Sequence, residues 1–231
     1  TIMALVRASS RTASRSLSSV SAGSSVVDSL LGLTFKLRLQ THIGDGVPVG
    51  LYQDIAKTIP ATLEGDPIAV WADELSASGQ EVIQANASLQ PTLSFDSGLP
   101  FVDFAGGKYL RKATPSWSNE SGLTAAMSCK LPTGGVNLYD AAFGGNSTAF
   151  IHGFASINGS NMTWFTGPQV NFGAVDDTWQ TFSTASGSTS TGALGIGSDN
   201  IGTKKSSGKY KALIMGEGAD VVAIQAHIET L

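Results

Sequence analysis

Charged residues are scarce in this sequence. They make up 14% of the 231 residues, whereas ordinary globular domains carry about 25%. A helical bundle needs Glu, Lys, Ala and Leu in quantity, so this composition argues against one. The 27 glycines, together with abundant Ser and Thr, instead favour a β-rich protein with many tight turns.

A basic surface is also missing. The formal net charge is −4, and proteins that bind nucleic acids normally carry a basic stripe or patch. No such stripe is visible after the first turns of the chain. We therefore expect no nucleic-acid partner.

Cysteine and long apolar runs are equally rare. The lone cysteine, Cys129, excludes a disulfide within the chain. A single thiol fits assembly in a reducing compartment without excluding secretion. No apolar stretch approaches the roughly 20 residues that a membrane-spanning helix needs, so the sequence predicts no membrane span.

The first 32 residues differ from the remainder of the chain. They are rich in Ser, and Arg7, Arg11 and Arg15 all precede the first acidic residue, Asp28. In a helix, this four-residue spacing would place the three arginines on one face. We predict an N-terminal arm, residues 1–32, that binds a partner subunit through these arginines. An organellar transit peptide and a solvated linker are the alternatives.

The residues after the arm, 33–231, are typical of one domain built from many short strands. The stretch LTFKLRLQ (33–40) alternates apolar and polar residues, which predicts a strand with one buried face. An apolar run ends at Asn158-Gly159, the strongest short hairpin signal. Further strand-like runs occupy residues 66–73, 123–131, 149–157, 161–167, 178–184, 191–197 and 209–216. The sequence therefore predicts an all-β, antiparallel β-sandwich.

The end of the chain has a different periodicity. Val221, Ile224, Ile228 and Leu231 recur at helical spacing, and Asp220 is suited to the N-cap. We predict one short C-terminal helix that packs on the sandwich.

Common catalytic motifs are absent or incomplete. The sequence has no G-x-S-x-G nucleophile turn and no complete phosphate-binding loop. His42, His152 and His227 lie far apart and lack the spacing of metal ligands. Each histidine is therefore better explained by solvation or a local hydrogen bond.

Carboxylates at glycosidase spacing are missing too. Sandwich glycosidases place several carboxylates in one groove, at roughly 5 to 10 Å from each other. Glu64 and Asp66 begin such an alternation, but Pro67 follows and position 69 is Ala. We interpret this segment as a loop that leads into a strand, and we predict that the protein is not an enzyme.

Asp103 lies within an apolar run, GLPFVDFAGGKYL. It alternates with Val102 and Phe104, so in a strand it would point away from the face that those two share. We predict that its carboxylate accepts hydrogen bonds near the turn at Gly106-Gly107 and has a structural role.

Asp176 and Asp177 form an acidic pair beside Trp179. Adjacent carboxylates and nearby backbone carbonyls can bind Ca²⁺, which is the one cofactor that we consider. A polar turn before the next strand is the favoured interpretation.

Four aromatic residues would stack on sugar rings if they were exposed: Trp117, Trp164, Phe165 and Trp179. In a sandwich of this size most tryptophans lie in the core, so core packing is the favoured interpretation. We take Trp164, Trp179 and Asn161 as the candidate glycan-binding residues.

A succession of short motifs runs from about residue 50 to the end of the chain. In order they are Leu51-Tyr52-Gln53-Asp54, Gly65-Asp66-Pro67, Trp71, Asp73, Gln84-Ala85, Gln90-Pro91-Thr92, Leu99-Pro100, Asp103-Phe104-Ala105-Gly106 and Tyr109-Leu110. This succession resembles the laminin-G-like, concanavalin A-like lectin/glucanase domains of phage and bacterial surface proteins. The closing strands and helix are similar to the same family. Residues 111–190 match only in strand rhythm, so no ligand site transfers residue by residue.

The resemblance implies a concanavalin A-like jelly roll and a recognition or structural role. Domains of this kind occur on phage tail and head appendages, where they contact neighbouring subunits or host surface glycans. We expect a non-enzymatic virion protein, assembled in the host cytoplasm, whose partners are other virion proteins and copies of itself. A secreted protein that binds or hydrolyses carbohydrate is the alternative, and an organellar protein is a third.

Overall fold

The computed structural model is described for residues 30, 35–44, 46–76, 79–112, 121–133, 139–147, 150–157, 161–164, 170–188, 194–197, 207–217 and 221–231. Apart from Leu30, the predicted arm lies outside these residues, as do Asp220 and the Asn158-Gly159 turn. The predictions made for them are therefore not addressed by the structure.

Fifteen strands occur in the described segments. In chain order they are β1 Phe35–Gln40, β2 Leu51–Tyr52, β3 Val70–Ala72, β4 Glu81–Ile83, β5 Thr92–Asp96, β6 Leu99–Asp103, β7 Leu110–Lys112, β8 Ser121–Lys130, β9 Tyr139–Ser147, β10 Phe150–Ile157, β11 Asn161–Trp164, β12 Val170–Ala174, β13 Trp179–Ser188, β14 Leu194–Ile196 and β15 Lys209–Glu217. A 3₁₀ turn occupies Ala87–Leu89, and one α-helix, α1, spans Val221–Ile228. Among the described residues, no helix has both the length and the apolar character to cross a membrane.

The strands form two antiparallel sheets, which makes the protein an all-β sandwich. The first sheet has the order β13-β8-β15-β6-β5, and β1 also pairs with β15. The second has the order β12-β11-β10-β9-β14-β7-β4-β3-β2. The predicted hairpin is confirmed at the strand level, because β10 and β11 pair with Ile157 opposite Asn161.

The main hydrophobic core lies between the sheets. The first sheet contributes inward-facing side chains that include Leu37, Leu39, Met127, Tyr210 and Leu213, and the second contributes Trp71, Val82, Leu110 and Ile196. Trp71 is fully buried, and its indole N–H donates to the backbone oxygen of Gln40 at 3.2 Å. This bond satisfies the polar atom that burial would otherwise leave unpaired.

The C-terminal helix covers part of the outer face of the first sheet, as predicted. Its side of the contact includes Ile224, Ile228 and the following Leu231. They pack against outward-facing side chains of three strands: Phe35, Ala126, Ala212 and Ile214. Leu30, from the segment before β1, is buried in the same cluster.

Strand β1 is buried on both faces, so the prediction of one buried face is wrong. Its polar residues Arg38 and Gln40 are only 2% and 1% exposed. Arg38 Nε donates to Gln40 Oε1 at 2.6 Å, and Gln40 Nε2 lies 2.9 Å from His227 Nε2 of α1. The helix α1 covers the face of β1 that was expected to be exposed to solvent. The hydrogen bonds of Arg38 and Gln40 offset the cost of burying their polar groups.

Candidate functional site

A row of side chains crosses the outer face of the first sheet, beyond the part that α1 covers. Trp179 pairs with Lys130, and Lys130 pairs with Lys209. The residues one position inward, Cys129 and Tyr210, are buried in the core. Because side chains alternate along a strand, the row of Trp179, Lys130 and Lys209 faces outward.

A β-bulge adds a third lysine to this row. The register between β15 and β8 shifts between Tyr210 and Ala212, which leaves Lys211 as the extra residue. Bulges redirect side chains in this way. Lys211 projects beside the row, with its ammonium nitrogen 4.6 Å from the centre of the Trp179 ring, while Ala212 begins the part of the face under α1.

Trp179 is half-buried and held in a fixed orientation. Its indole N–H donates at 2.8 Å to Oδ2 of Asp96, the last residue of β5. Its ring meets the ring of Phe101 edge-on, with centroids 5.5 Å apart and planes at 68°. Phe101 faces outward yet is only 4% exposed, because the side chains of Trp179 and Lys209 pack over its ring.

The charged groups around Trp179 influence one another. The hydrogen bond from Trp179 is the main cause that lowers the pKa of Asp96, with smaller contributions from Ser97, Lys130 and Lys211. Burial lowers the pKa of Lys211, whose ammonium also donates to the backbone oxygen of Leu231 at 3.1 Å. We call the group of Trp179, Asp96, Lys130, Lys209 and Lys211 the Trp179 surface.

The other two predicted glycan-binding residues belong to a different sheet. Asn161 and Trp164 are the first and last residues of β11, in the nine-stranded sheet, and their side chains are outside the described part of the structure. Trp179 starts β13, in the six-stranded sheet. A joint site of all three residues stays a prediction.

The acidic pair before β13 forms a turn. Asp176 Oδ1 accepts hydrogen bonds from the backbone N–H of Thr178 at 3.1 Å and from its hydroxyl at 2.5 Å. Asp177 has a backbone φ of 57°. The described residues contain no group of three or more His, Cys, Asp or Glu side chains that could hold a metal ion. The polar turn is therefore confirmed, and a Ca²⁺ site at Asp176 and Asp177 stays a prediction.

The remaining carboxylates considered from the sequence have structural roles. Asp103 Oδ1 accepts from the backbone N–H of Ala105 at 2.9 Å, which confirms its predicted role near the turn. Asp66 Oδ2 accepts from the backbone N–H groups of Thr62 and Leu63 at 2.8 and 2.9 Å. The segment that contains Asp66 is thus a loop, as interpreted from the sequence.

Four residues of the Trp179 surface were not predicted from the sequence: Asp96, Lys130, Lys209 and Lys211. Alternation around the buried Tyr210 is consistent with an outward-facing Lys209, but the position of Lys211 depends on the bulge, which the sequence does not indicate. Asp96 carried no such signal, because 83 positions separate it from Trp179.

Comparisons with known proteins identify no family for this chain. No protein-family model matches the chain, and no curated protein matches it significantly. A search of solved structures found a similarity to the crystal structure of exo-β-1,3-galactanase from Phanerochaete chrysosporium, Pc1,3Gal43A, with galactose. The match has 12% sequence identity and a TM-score of 0.26, and it covers 71% of this chain and 36% of the galactanase chain. A match at that TM-score supports no conclusion about this chain.

Proposed function

We propose that this chain is a non-enzymatic recognition module and that its Trp179 surface binds saccharides. The observation that carries the proposal is the half-buried indole of Trp179, fixed by the 2.8 Å hydrogen bond to Asp96 and by the edge contact with Phe101. An aromatic ring held in place loses little freedom when a sugar ring stacks on it. Polar side chains around such a platform then orient the ligand.

The carboxylates near the platform support binding rather than hydrolysis. A glycosidase needs one carboxyl group as a proton donor and another as a nucleophile or base. Asp96 accepts the indole N–H of Trp179, and Asp103 accepts the backbone N–H of Ala105. Each carboxylate already stabilises local structure, which fits a non-enzymatic surface.

The biological setting of the module is proposed from the sequence resemblance alone. We propose a phage virion appendage in which residues 1–32, with Arg7, Arg11 and Arg15, anchor the domain to other virion proteins. Deletion of residues 1–29, which removes the three arginines but keeps the buried Leu30, should then abolish incorporation into particles while the sandwich still folds. Normal incorporation of the shortened chain would contradict this setting.

The binding proposal is tested with a glycan array that contains neutral and acidic saccharides in matched pairs. The wild-type chain should bind a subset of them, and Trp179→Ala should weaken that binding at least about tenfold through loss of the platform. Trp164→Ala is the matched control, because it removes the other predicted tryptophan from the opposite sheet. Circular dichroism would verify that both variants fold.

Two results would contradict the proposal. The first is a wild-type chain that binds no saccharide on the array. The second is a folded Trp179→Ala variant that binds as well as the wild type. If binding were then lost only in Trp164→Ala, the site would lie on the nine-stranded sheet instead.

A further inference from the structure

Lys130 and Lys209 are like charges held side by side. They are directly opposite each other on β8 and β15, a pairing that brings Cβ atoms to about 4.5 to 5.5 Å. Like charges in this position destabilise a sheet. The pairing of Lys130 with Lys209 therefore contributes a repulsion that an anion bound between the two side chains would reduce.

Asp96 and Asp103 lie near these lysines, but neither forms an ion pair with Lys130 or Lys209. Asp103 is opposite Lys209 on β6, but its carboxylate accepts the backbone N–H of Ala105. Asp96 accepts the indole N–H of Trp179. Within the described part of the chain, no carboxylate oxygen lies within ion-pair distance of the Lys130 or Lys209 ammonium.

Two of the lysines, Lys209 and Lys211, lie over aromatic rings. The Lys209 ammonium lies 5.4 Å from the centre of the Phe101 ring, and the Lys211 ammonium lies 4.6 Å from the centre of the Trp179 ring. Cations in contact with aromatic faces are attracted to them and sample fewer positions. One ammonium group is thus positioned over the indole and another over the neighbouring Phe101 ring before any ligand arrives.

We propose that the Trp179 surface is specific for acidic saccharides. A sugar ring contacts the part of the Trp179 indole that Lys211 does not cover, and a carboxylate or sulfate group on that saccharide binds Lys130 and Lys209, with Lys211 over the ring as a third cation. The bound anion relieves the repulsion between the two paired lysines, and charge-assisted hydrogen bonds of this type are stronger than neutral ones. This inference rests on the proposed function, because it names the class of saccharide for the same surface.

The test compares three tetrasaccharides by calorimetry: tetragalacturonate, its fully methyl-esterified form and a heparin-derived tetrasaccharide. We expect one or both acidic probes to bind at least about tenfold more tightly than the neutral ester, because only the acidic probes carry anionic groups. The stronger of the two identifies a carboxylate or a sulfate as the preferred group. Raising the salt concentration should weaken the acidic binding and leave the neutral binding unchanged.

Charge-neutral variants identify the side chains. Lys130→Gln and Lys209→Gln should each weaken acidic binding at least about tenfold and leave binding of the ester unchanged. Lys57→Gln is the matched control, because Lys57 follows β2 in the other sheet and pairs with Glu81 there at 2.8 Å. It should bind like the wild type.

The outcomes separate this inference from the proposed function. Equal affinity for the acid and the ester, lost in Trp179→Ala but kept in both lysine variants, would overturn the acidic specificity and leave saccharide binding intact. Acidic binding that is lost in the lysine variants but kept in Trp179→Ala would overturn the combined site. Absence of binding to all three probes and to the array would overturn both.

Discussion

Replacing Gln40 by Leu should measurably destabilise the domain through the polar groups under α1. The Gln40 amide connects two buried partners, since its oxygen accepts from Arg38 Nε and its nitrogen lies 2.9 Å from His227 Nε2. Arg38 has only donors, so the amide oxygen must face it and the amide N–H must donate to His227. Leu has nearly the same volume as Gln but can make neither bond.

The expected loss follows from those two bonds. Leaving a buried polar group without a partner costs about 1 to 3 kcal/mol, and two groups are affected. Arg38 and His227 have further interactions, and the Arg38 guanidinium lies 5.4 Å from the centre of the Phe35 ring. We therefore expect the lower part of the range, about 2 to 4 kcal/mol in total, a large share of the 5 to 15 kcal/mol that is typical of a domain.

Urea unfolding, analysed by linear extrapolation, measures this loss. Gln53→Leu is the matched control, because the same chemical change at partly exposed Gln53 removes one bond to the Pro60 oxygen at 3.3 Å and should cost less than about 0.5 kcal/mol. The double variant Gln40→Leu/His227→Leu should be more stable than the sum of the two single changes predicts, since it leaves fewer unpaired groups. Equal stability of Gln40→Leu and Gln53→Leu would refute the reasoning.

Three further predictions concern other described residues. The Trp179 indole N–H resonance should titrate with Asp96 at a midpoint below the usual pKa of 3.8, because the hydrogen bond favours the carboxylate. Since the pKa is lowered in the folded protein, the stability that this bond contributes is present above pH 3.8 and is lost as the pH falls through the folded-state pKa. Asp96→Asn should abolish the titration. Gly197→Ala should destabilise the fold by about 2 kcal/mol or more, because φ is +73° and a Cβ would lie 2.3 Å from a ring carbon of the buried Phe104. Gly98→Ala is the control: with φ +84° and no atom near the added Cβ, it should cost only about 1 kcal/mol. Thermal unfolding of both variants measures the difference. The thiol of Cys129 should react with a thiol reagent only in urea, because burial raises its pKa; rapid reaction of the native chain would contradict its burial.

Much of the fold was predictable because local patterns and tertiary structure agree in most strands. The alternation of residues 33–40, the apolar run of β8 and the helical spacing in α1 each produced the expected element. The exposure of Arg38 and Gln40 was predicted wrongly, because a period of two marks them as polar but does not reveal that α1 covers them. Which element covers a polar face depends on contacts between distant residues.

The Trp179 surface was predictable only at one residue. Trp179 was selected as an aromatic that would bind a sugar if exposed, but its neighbours depend on the order of strands in the first sheet. Lys130 and Lys209 meet because β8 and β15 are adjacent in that particular register. Lys211 joins them because of a bulge, and bulges leave no reliable mark in a single sequence.

The pairing of β1 with β15 has a mechanical consequence. Phe35, at the start of β1, is opposite Gly216, near the end of β15, so both chain ends leave this strand pair on the same side. Tension applied between the two termini would therefore peel the strands apart one hydrogen-bonded pair at a time instead of shearing all the bonds together. The cluster of Leu30, Phe35, Ile224 and Ile228 lies over that end, so the packing of α1, and not the strand pairing, would bear the first load.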